Sequence, residues 1–255
     1  MKRNSLIILL FATHIAVQAQ PTIIAHRGSS YTAPENTVAS ANLAWEQNAD
    51  AVELDIHLSK DNRVVVMHDS NTKRTTGQKF EIAETSSDVL RTLDAGSWKN
   101  ERFKGEKIPF LEEMIATVPA GKKMVIEIKC GMEVFPFLQQ IVEESGKKDQ
   151  MIFIAFGWEN ILAAKKMFPE NACYWLSEIS LNLKRKMREA SKSGLDGVNL
   201  KYKIITKKEM NFAKRYHLEV LSWTIDNPDE AKRLITLGVT GITTNRPDLI
   251  RSSLQ

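Results

Sequence analysis

Cysteine is nearly absent from this chain, which has two cysteines among its 255 residues. Cys130 and Cys173 lie far apart in the sequence, and two cysteines exclude the disulfide framework of small secreted domains. We expect both to be ordinary buried thiols, although an oxidising compartment leaves a disulfide between them open. The fold must therefore depend on a hydrophobic core.

Two other absences narrow the class of protein. The chain has no glycine-rich nucleotide loop, and no linker or low-complexity stretch divides it. Its charge is nearly balanced, with 35 lysines and arginines against 31 aspartates and glutamates and a formal net charge of +4. Cleavage of the N-terminal segment predicted below would remove Lys2 and Arg3 and lower the net charge to +2. So small an excess gives no strong preference for nucleic acid or an anionic membrane.

Long apolar runs are also lacking, apart from one short segment at the start. A basic pair, Lys2-Arg3, precedes an apolar stretch over residues 6–17, and a small-residue cleavage pattern ends at Ala19. The stretch is short for a bilayer span. We therefore predict a signal peptide over residues 1–19 and an exported protein, periplasmic or secreted. An uncleaved membrane anchor is the competing interpretation. Because the cleavage site has no cysteine, a lipid anchor is not indicated.

Residues 20–255 are predicted to form one α/β domain. Short apolar strands alternate with helical segments along its whole length. Eight such units in 236 residues predict a TIM barrel rather than a doubly wound open sheet. The periodicity breaks down over about residues 70–107, which indicates a segment inserted after the second strand. The eight predicted strands begin at Thr22, Ala51, Met124, Met151, Cys173, Gly197, Val220 and Gly241.

The stretch Ala51–Leu58 (AVELDIHL) has the most informative pattern. Apolar and polar residues alternate strictly, so Glu53, Asp55 and His57 share one face of a predicted strand. A solvated antiparallel strand would show the same alternation, but this face has no lysine and His68-Asp69 follows shortly after it. Two carboxylates at positions i and i+2 bring their oxygens together. We therefore predict that this strand holds a metal ion in the mouth of the barrel.

Other polar and aromatic residues also follow the predicted strands at their C-terminal ends. Active sites of TIM barrels lie at this end, and a core does not need so many ionisable groups. The candidate site residues are His26, Arg27, Glu53, Asp55, His68, Glu127, Lys129 and Trp223.

Several motifs, in this order along the chain, resemble the glycerophosphodiester phosphodiesterase family. The resemblance extends over the whole sequence after the predicted signal peptide. It implies a TIM barrel with an insert after the second strand, a divalent metal (Ca²⁺ or Mg²⁺), and hydrolysis of glycerophosphodiesters to glycerol 3-phosphate and an alcohol. The matching motifs are His26-Arg27-Gly28, Pro34-Glu35-Asn36-Thr37, Glu53-Leu54-Asp55, His68-Asp69, Leu93–Trp98, Ile108–Glu113, Glu127-Ile128-Lys129, Ser222-Trp223-Thr224 and Gly238–Ile242.

Two positions depart mildly from the family pattern. The usual Thr-Asp near the last strand is Thr244-Asn245 here, and Asp226-Asn227 replaces a common Asn-Asp or Asn-Asn. We expect neither departure to touch the metal or the acid/base residues. Activity is then retained, and substrate preference is the property that these positions affect.

The candidate residues fit the chemistry that the resemblance implies. Glu53, Asp55 and Glu127 supply hard oxygen ligands, with water and phosphate oxygens completing the metal's shell. Arg27 suits bidentate binding of the same phosphate, and Lys129 adds a point charge. The alternative for these two cations is a salt bridge with Glu53 or Glu127, which is also compatible with an empty site.

His26 and His68 form the predicted acid/base pair. Displacement at a phosphodiester needs a deprotonated nucleophile and a protonated leaving group, and imidazole serves both roles near neutral pH. Which histidine is acid and which is base stays open. We also consider a substrate-assisted route, in which the glycerol 2-hydroxyl attacks and water then opens a cyclic phosphate. Trp223 is predicted to pack against apolar substrate atoms, with a core position as the alternative.

Three further residues receive smaller roles. We expect Glu35 to orient Arg27 or to cap a helix, and Asn36 to be the N-cap of the helix that follows. His57 is expected either at the rim, in contact with substrate, or in solvent.

Two other functions remain open. A cyclising phospholipase C acting on inositol lipids would share the barrel and the histidines, but it needs a membrane-facing apolar loop, which residues 70–107 do not offer. A non-catalytic barrel that binds phosphorylated polyols is opposed by the intact histidines and carboxylates. We therefore expect a small-molecule glycerophosphodiester substrate, no nucleic-acid partner and no stable membrane insertion once the signal peptide is removed.

Overall fold

A computed structural model of the chain describes residues 20–254, so the predicted signal peptide lies outside the described residues. The strands of the described part are β1 (Thr22–His26), β2 (Ala51–Leu58), β3 (Val64–Val66), β4 (Lys123–Ile128), β5 (Met151–Ala155), β6 (Cys173–Ser177), β7 (Gly197–Lys201), β8 (Glu219–Trp223) and β9 (Gly241–Thr244). Its α-helices are α1 (Val38–Glu46), α2 (Lys73–Thr76), α3 (Ser87–Thr92), α4 (Leu111–Ala116), α5 (Phe135–Glu144), α6 (Trp158–Met167), α7 (Leu183–Lys192), α8 (Lys207–Arg215), α9 (Pro228–Leu237) and α10 (Pro247–Ser253).

Eight of the strands form a closed parallel barrel. Their order around the ring is β1, β2, β4, β5, β6, β7, β8 and β9, and β9 pairs with β1 to close it. Strand β3 lies outside the ring and pairs antiparallel with β2. The predicted TIM barrel is confirmed, and each predicted strand begins within one residue of its observed start. None of the described helices combines the length and apolar character needed to cross a bilayer.

Strand β2 is buried on both faces, which explains its alternating sequence. Val52, Leu54 and Ile56 belong to the large apolar cluster between the barrel and the helices. Glu53 and Asp55 alternate with them and therefore lie inside the barrel. Because β2 is buried along its whole length and parallel to both barrel neighbours, the alternative of a solvated antiparallel strand is wrong.

Helix α1 begins later than predicted. Its N-cap is Thr37, whose hydroxyl accepts a hydrogen bond from the Ser40 backbone N–H while the Ser40 hydroxyl accepts one from the Thr37 N–H. The prediction of Asn36 as N-cap is wrong. Asn36 has a positive φ of 58°, and its side-chain amide donates to Asp55 Oδ2 at 2.8 Å instead. The residue thus contacts the barrel interior rather than the helix.

The segment that contains residues 70–107 is folded over a small core of its own. Helices α2 and α3 lie in this segment, and its apolar side chains pack with Val65 of β3. Both cysteines are free thiols, with Cys173 buried and Cys130 half-buried, so the alternative of a disulfide is wrong.

A substitution at Phe153 measures how strongly the apolar layer between the barrel and the helices stabilises the fold. The fully buried ring of Phe153 stacks on Phe168 with centroids 4.5 Å apart. We expect Phe153→Ala to lower the free energy of unfolding by about 3–5 kcal/mol because it leaves a cavity. Phe156, just beyond the same strand, is 44% exposed, so Phe156→Ala should cost less than about 1 kcal/mol. Urea unfolding followed by circular dichroism measures both, and equal losses would contradict this division of the core.

Candidate active site

Strand register brings three acidic side chains together inside the barrel. Pairing of β1 with β2 sets His26 beside Glu53, and pairing of β2 with β4 sets Asp55 beside Glu127. Carboxylate oxygens of Glu53, Asp55 and Glu127 lie within 4.8 Å of one another. The three residues are at most 9% exposed. The predicted ligand set is therefore assembled at one point.

The electrostatics of this cluster favour a cation. Burial raises the pKa of Glu53 well above its usual range, and the charges of Asp55 and Glu127 add to the effect. Burial and the Asp55 charge raise the pKa of Glu127 to about 7. Asp55 Oδ1 is buried and has no hydrogen-bond partner among the described residues. Hard oxygen ligands whose repulsion is only partly relieved form a group that could bind a divalent metal.

Two cations partly offset this charge. Lys129 Nζ lies 3.0 Å from Glu127 Oε1 and 3.5 Å from Asp55 Oδ1, so the salt-bridge alternative is confirmed for Lys129. The Arg27 backbone N–H donates to Glu53 Oε2 at 2.9 Å. Its guanidinium Nε lies 3.4 Å from Asp55 Oδ2, rather than pairing with Glu53 or Glu127 as the alternative supposed. Arg27 adopts a left-handed backbone with φ of 56°, which turns the chain away from β1.

A chain of alternating charges connects Arg27 to His68. Glu35 accepts a hydrogen bond from Arg27 Nη1 at 2.8 Å and binds Arg74 at the same distance. Arg74 Nε donates to Asp69 Oδ2 at 2.8 Å, and Asp69 Oδ1 lies 2.7 Å from His68 Nδ1. The role of Glu35 in orienting Arg27 is confirmed. Although burial opposes it, contacts with the two arginines lower the pKa of Glu35 to about 2.

Arg74 and His57 were not identified as parts of this arrangement. Arg74 belongs to α2 in the inserted segment. Basic residues are common on exposed surfaces, so its sequence position did not distinguish it. His57 Nε2 lies 3.3 Å from the His68 carbonyl oxygen, to which it donates, and the side chain is buried. Both expectations for His57, the rim and solvent, are therefore wrong. The ring supports the backbone of His68.

Asn245 contacts His26 directly, so the expectation that the departures from the family pattern avoid the acid/base residues is wrong. Asn245 Oδ1 lies 2.7 Å from His26 Nδ1 and also accepts from the Ser30 hydroxyl at 2.9 Å. Its Nδ2 donates to Asp226 Oδ2 at 2.7 Å. Because a carboxylate only accepts, Asp226 fixes the orientation of the Asn245 amide. His26 must then carry its proton on Nδ1.

The two imidazoles differ in their surroundings. Burial and the neighbouring Arg27 charge lower the pKa of His26 to about 4, so this ring is neutral at pH 7. His68 instead contacts the Asp69 carboxylate, which makes Nδ1 its donor as well. Within residues 20–254, no protein hydrogen bond to Nε2 of either ring is found, and both residues line the same cavity.

The cavity at the barrel mouth has a charged wall and an apolar wall. The charged wall carries the residues described above, and the apolar wall is formed by Ile154, Phe156, Leu176 and Trp223. The Trp223 ring meets Phe156 edge-on, with centroids 5.6 Å apart. The predicted position of Trp223 at the mouth is thus observed, and the indole donates to the Asn199 carbonyl oxygen at 3.3 Å.

Sequence reasoning missed two polar residues that line this cavity. Asn199 Oδ1 and Thr243 Oγ1 are buried and have no hydrogen-bond partner in the described part of the chain. Buried polar groups are normally paired, so such atoms in a cavity wall indicate a ligand contact. The available signal was a polar residue interrupting each apolar strand, β7 for Asn199 and β9 for Thr243.

Comparison with known proteins agrees with the fold and identifies the family. The chain matches the Glycerophosphoryl diester phosphodiesterase family over residues 26–249. It is 31% identical to a glycerophosphodiester phosphodiesterase of Caldanaerobacter subterraneus, covering 89% of this chain and 95% of the relative.

Solved structures give the same result. A phosphodiesterase of Oleispira antarctica, in complex with the product sn-glycerol-3-phosphate, superposes with a TM-score of 0.86 and 29% identity over 92% of this chain and 96% of that one. A glycerophosphodiester phosphodiesterase of Agrobacterium tumefaciens gives a TM-score of 0.77 and 25% identity, covering 91% of this chain and 100% of that one. The chain therefore belongs to the glycerophosphoryl diester phosphodiesterase family, and it is an enzyme of that class.

Proposed function

We propose that the barrel mouth hydrolyses glycerophosphodiesters to sn-glycerol 3-phosphate and an alcohol, with a divalent metal and two histidines. The observation that carries this proposal is a cluster of three buried carboxylates at a cavity that two of them line together with both imidazoles. The Oleispira antarctica relative binds sn-glycerol 3-phosphate as product. This supports a small-molecule substrate of the same class.

The metal is proposed to be Ca²⁺ or Mg²⁺, held by Glu53, Asp55 and Glu127. Their oxygens match the preference of these cations, and Asp55 Oδ1, which accepts no hydrogen bond, is available as a ligand atom. When bound, such an ion polarises a phosphoryl oxygen and offsets the charge that develops in the transition state. Arg27 and Lys129 lie within ion-pair distance of these carboxylates, so they would bind the remaining phosphate oxygens.

His26 is proposed as the general base and His68 as the general acid. His26 is neutral, and its Nδ1–H is held by Asn245, so Nε2 can accept a proton from the attacking hydroxyl. His68 Nε2 would return a proton to the leaving alkoxide, while the Asp69 carboxylate stabilises the cationic ring. The attacking hydroxyl is either water or the glycerol 2-hydroxyl, and the substrate-assisted route stays a prediction.

The remaining cavity residues would hold the organic part of the substrate. Trp223 and Phe156 offer an apolar surface for carbon atoms, and Asn199 and Thr243 offer unpaired polar atoms for hydroxyl groups. Export to the periplasm or medium is proposed from the pattern of residues 1–19 alone.

The metal proposal predicts a stability change that does not depend on turnover. Ca²⁺ or Mg²⁺ at about 100 times its Kd should stabilise the EDTA-stripped protein by about 2.7 kcal/mol, seen as a higher Tm. Asp55→Asn should remove this shift and the dependence of turnover on metal, because it removes a charged ligand. Glu178→Gln, at an exposed glutamate that pairs with Lys201, is the control and should keep both. A full Tm shift in Asp55→Asn would contradict the ligand assignment.

The histidine roles predict different responses to the leaving group. His26→Ala should lower kcat by about 10²–10⁴ on every substrate, because the base is always needed. His68→Ala should lose as much on glycerophosphocholine but less than about tenfold on a p-nitrophenyl ester of glycerol phosphate, since nitrophenolate leaves without protonation. Steady-state rates on both substrates measure this. His217→Asn, at an exposed turn before β8, is the control and should keep the normal rates. If His68→Ala lost equal activity on both substrates, His68 would be excluded as the general acid.

The link from Asp226 through Asn245 to His26 predicts a rescue. Asn245→Asp should lower kcat/KM at least about tenfold, because it sets a carboxylate against Asp226 at the present 2.7 Å contact. The exchanged pair Asp226→Asn/Asn245→Asp should recover most of the rate. The acidic side of its pH–rate profile should move to higher pH. A carboxylate that accepts a hydrogen bond from Nδ1–H raises the pKa of His26, and the base must be neutral to act. If the double variant did not recover kcat/KM, Asn245 would contribute only to packing.

A further inference from the structure

In the described part of the chain, the exposed apolar side chains lie in the connections that follow barrel strands. Every large hydrophobic residue that is exposed in the described part of the chain belongs to a connection that follows the C-terminal end of a barrel strand. The helices α5 to α10 and the opposite end of the barrel have none within that part. These residues are Tyr31, Val89, Trp98, Met132, Phe156, Ile179 and Leu181.

The most exposed pair lies in one loop. Ile179 is 61% exposed and Leu181 is 77% exposed, and both belong to the short connection between β6 and α7. The cavity at the mouth includes Leu176 of β6. The loop therefore begins two residues after a side chain of the cavity's apolar wall. Apolar residues grouped at one end of a molecule mark an interaction surface, whereas scattered ones do not.

The chain next to this loop is strongly basic. Residues 183–215 contain eleven lysines and arginines but only three acidic residues, although the whole chain has a net charge of just +4. Desolvation, together with the positive charge of Lys208 in α8, lowers the pKa of Lys184 at the start of α7. Within the described residues, Lys184, Lys203, Lys207 and Lys208 have no carboxylate within ion-pair distance. Helix dipoles disfavour lysines in the first turn, so stability does not explain Lys184, Lys207 and Lys208 there.

We propose that the loop containing Ile179 and Leu181, with the flanking lysines of α7 and α8, docks the barrel mouth on an anionic lipid bilayer. Basic side chains are attracted to anionic headgroups, and apolar side chains enter the boundary of the acyl chains. Such docking needs no spanning helix. The cavity then opens toward the lipid surface, where glycerophosphodiester groups are part of phospholipids.

A lipid surface fits better than nucleic acid, which also attracts lysine. Nucleic-acid surfaces combine basic residues with aromatic rings for stacking or polar groups for base edges. Ile179 and Leu181, the most exposed of these residues, offer neither, and the exposed rings of Tyr31, Trp98 and Phe156 belong to other connections. Aliphatic side chains gain from burial among acyl chains. The proposal depends on the fold and its surface, and not on the metal or on the histidine roles.

A fluorescent label in the loop tests this proposal in the full chain. Leu181→Cys carries the environment-sensitive dye NBD, and Ser193→Cys carries it at the exposed opposite end of α7. Burial raises the pKa of the native Cys130 and Cys173 thiols to about 12, so they react poorly at pH 7. Vesicles of equal parts phosphatidylcholine and phosphatidylglycerol should shift the emission at position 181 to the blue and leave position 193 unchanged. High salt should weaken the shift.

Matched variants separate the two contributions. Ile179→Ser/Leu181→Ser should lower vesicle affinity at least about fivefold, and Lys184→Glu/Lys208→Glu about tenfold. Both should retain turnover on soluble glycerophosphocholine, which shows that they fold.

Three results would overturn the proposal. The label at position 181 stays in water on anionic vesicles, or position 193 responds equally. The third result has two parts: a single-stranded oligonucleotide abolishes vesicle binding, and the double serine variant binds vesicles normally. This surface would then bind polyanions in general rather than lipid.

Discussion

Three buried carboxylates that repel one another are the constraint on which the rest of this site depends. In a low-dielectric interior, charges as close as those of Glu53, Asp55 and Glu127 cannot all be ionised without compensation. The chain provides Lys129, Arg27 and the amide of Asn36, and each makes a different contact with the cluster. Even so, the pKa of Glu53 and of Glu127 stays raised. The divalent cation proposed for this site would supply the positive charge that the cluster still lacks.

The same constraint explains why the site extends beyond the barrel. Arg27 has to stay near Asp55, and Glu35 holds its guanidinium from the outside. Glu35 is in turn bound by Arg74, which also binds Asp69 beside His68. The inserted segment is thus tied to the carboxylates through alternating charges. It contributes to the arrangement of both histidine-bearing loops as well as to the rim.

Much of the fold could be predicted from the sequence, because period-two alternation and short apolar runs directly report burial on strands. The alternation of Val52, Leu54 and Ile56 indicated which side chains pack against the helices, and the parallel register then set Asp55 beside Glu127. Side-chain hydrogen bonds have no such periodicity. The contact of Asn36 with Asp55 joins residues 19 apart and that of Asn245 with His26 joins residues 219 apart. These pairings exist only after the barrel has set the strands in place.

Net charge was similarly a poor guide to the surface. The near balance over the whole chain conceals a basic stretch over residues 183–215, because an average carries no information about position. Only the placement of α7 and α8 next to the loop after β6 gives that stretch a location relative to the mouth.

Closure of the ring has a consequence for the time at which the enzyme becomes competent. His26 ends the first strand, whereas the amide that sets its tautomer follows the last, and β1 and β9 meet only when the barrel is complete. A chain that still lacks its final twenty residues or so contains Glu53, Asp55 and Glu127, but it lacks the amide that holds His26 in one tautomer. The proposed general base therefore reaches its final arrangement only after β9, the last strand to be synthesised, has paired with β1.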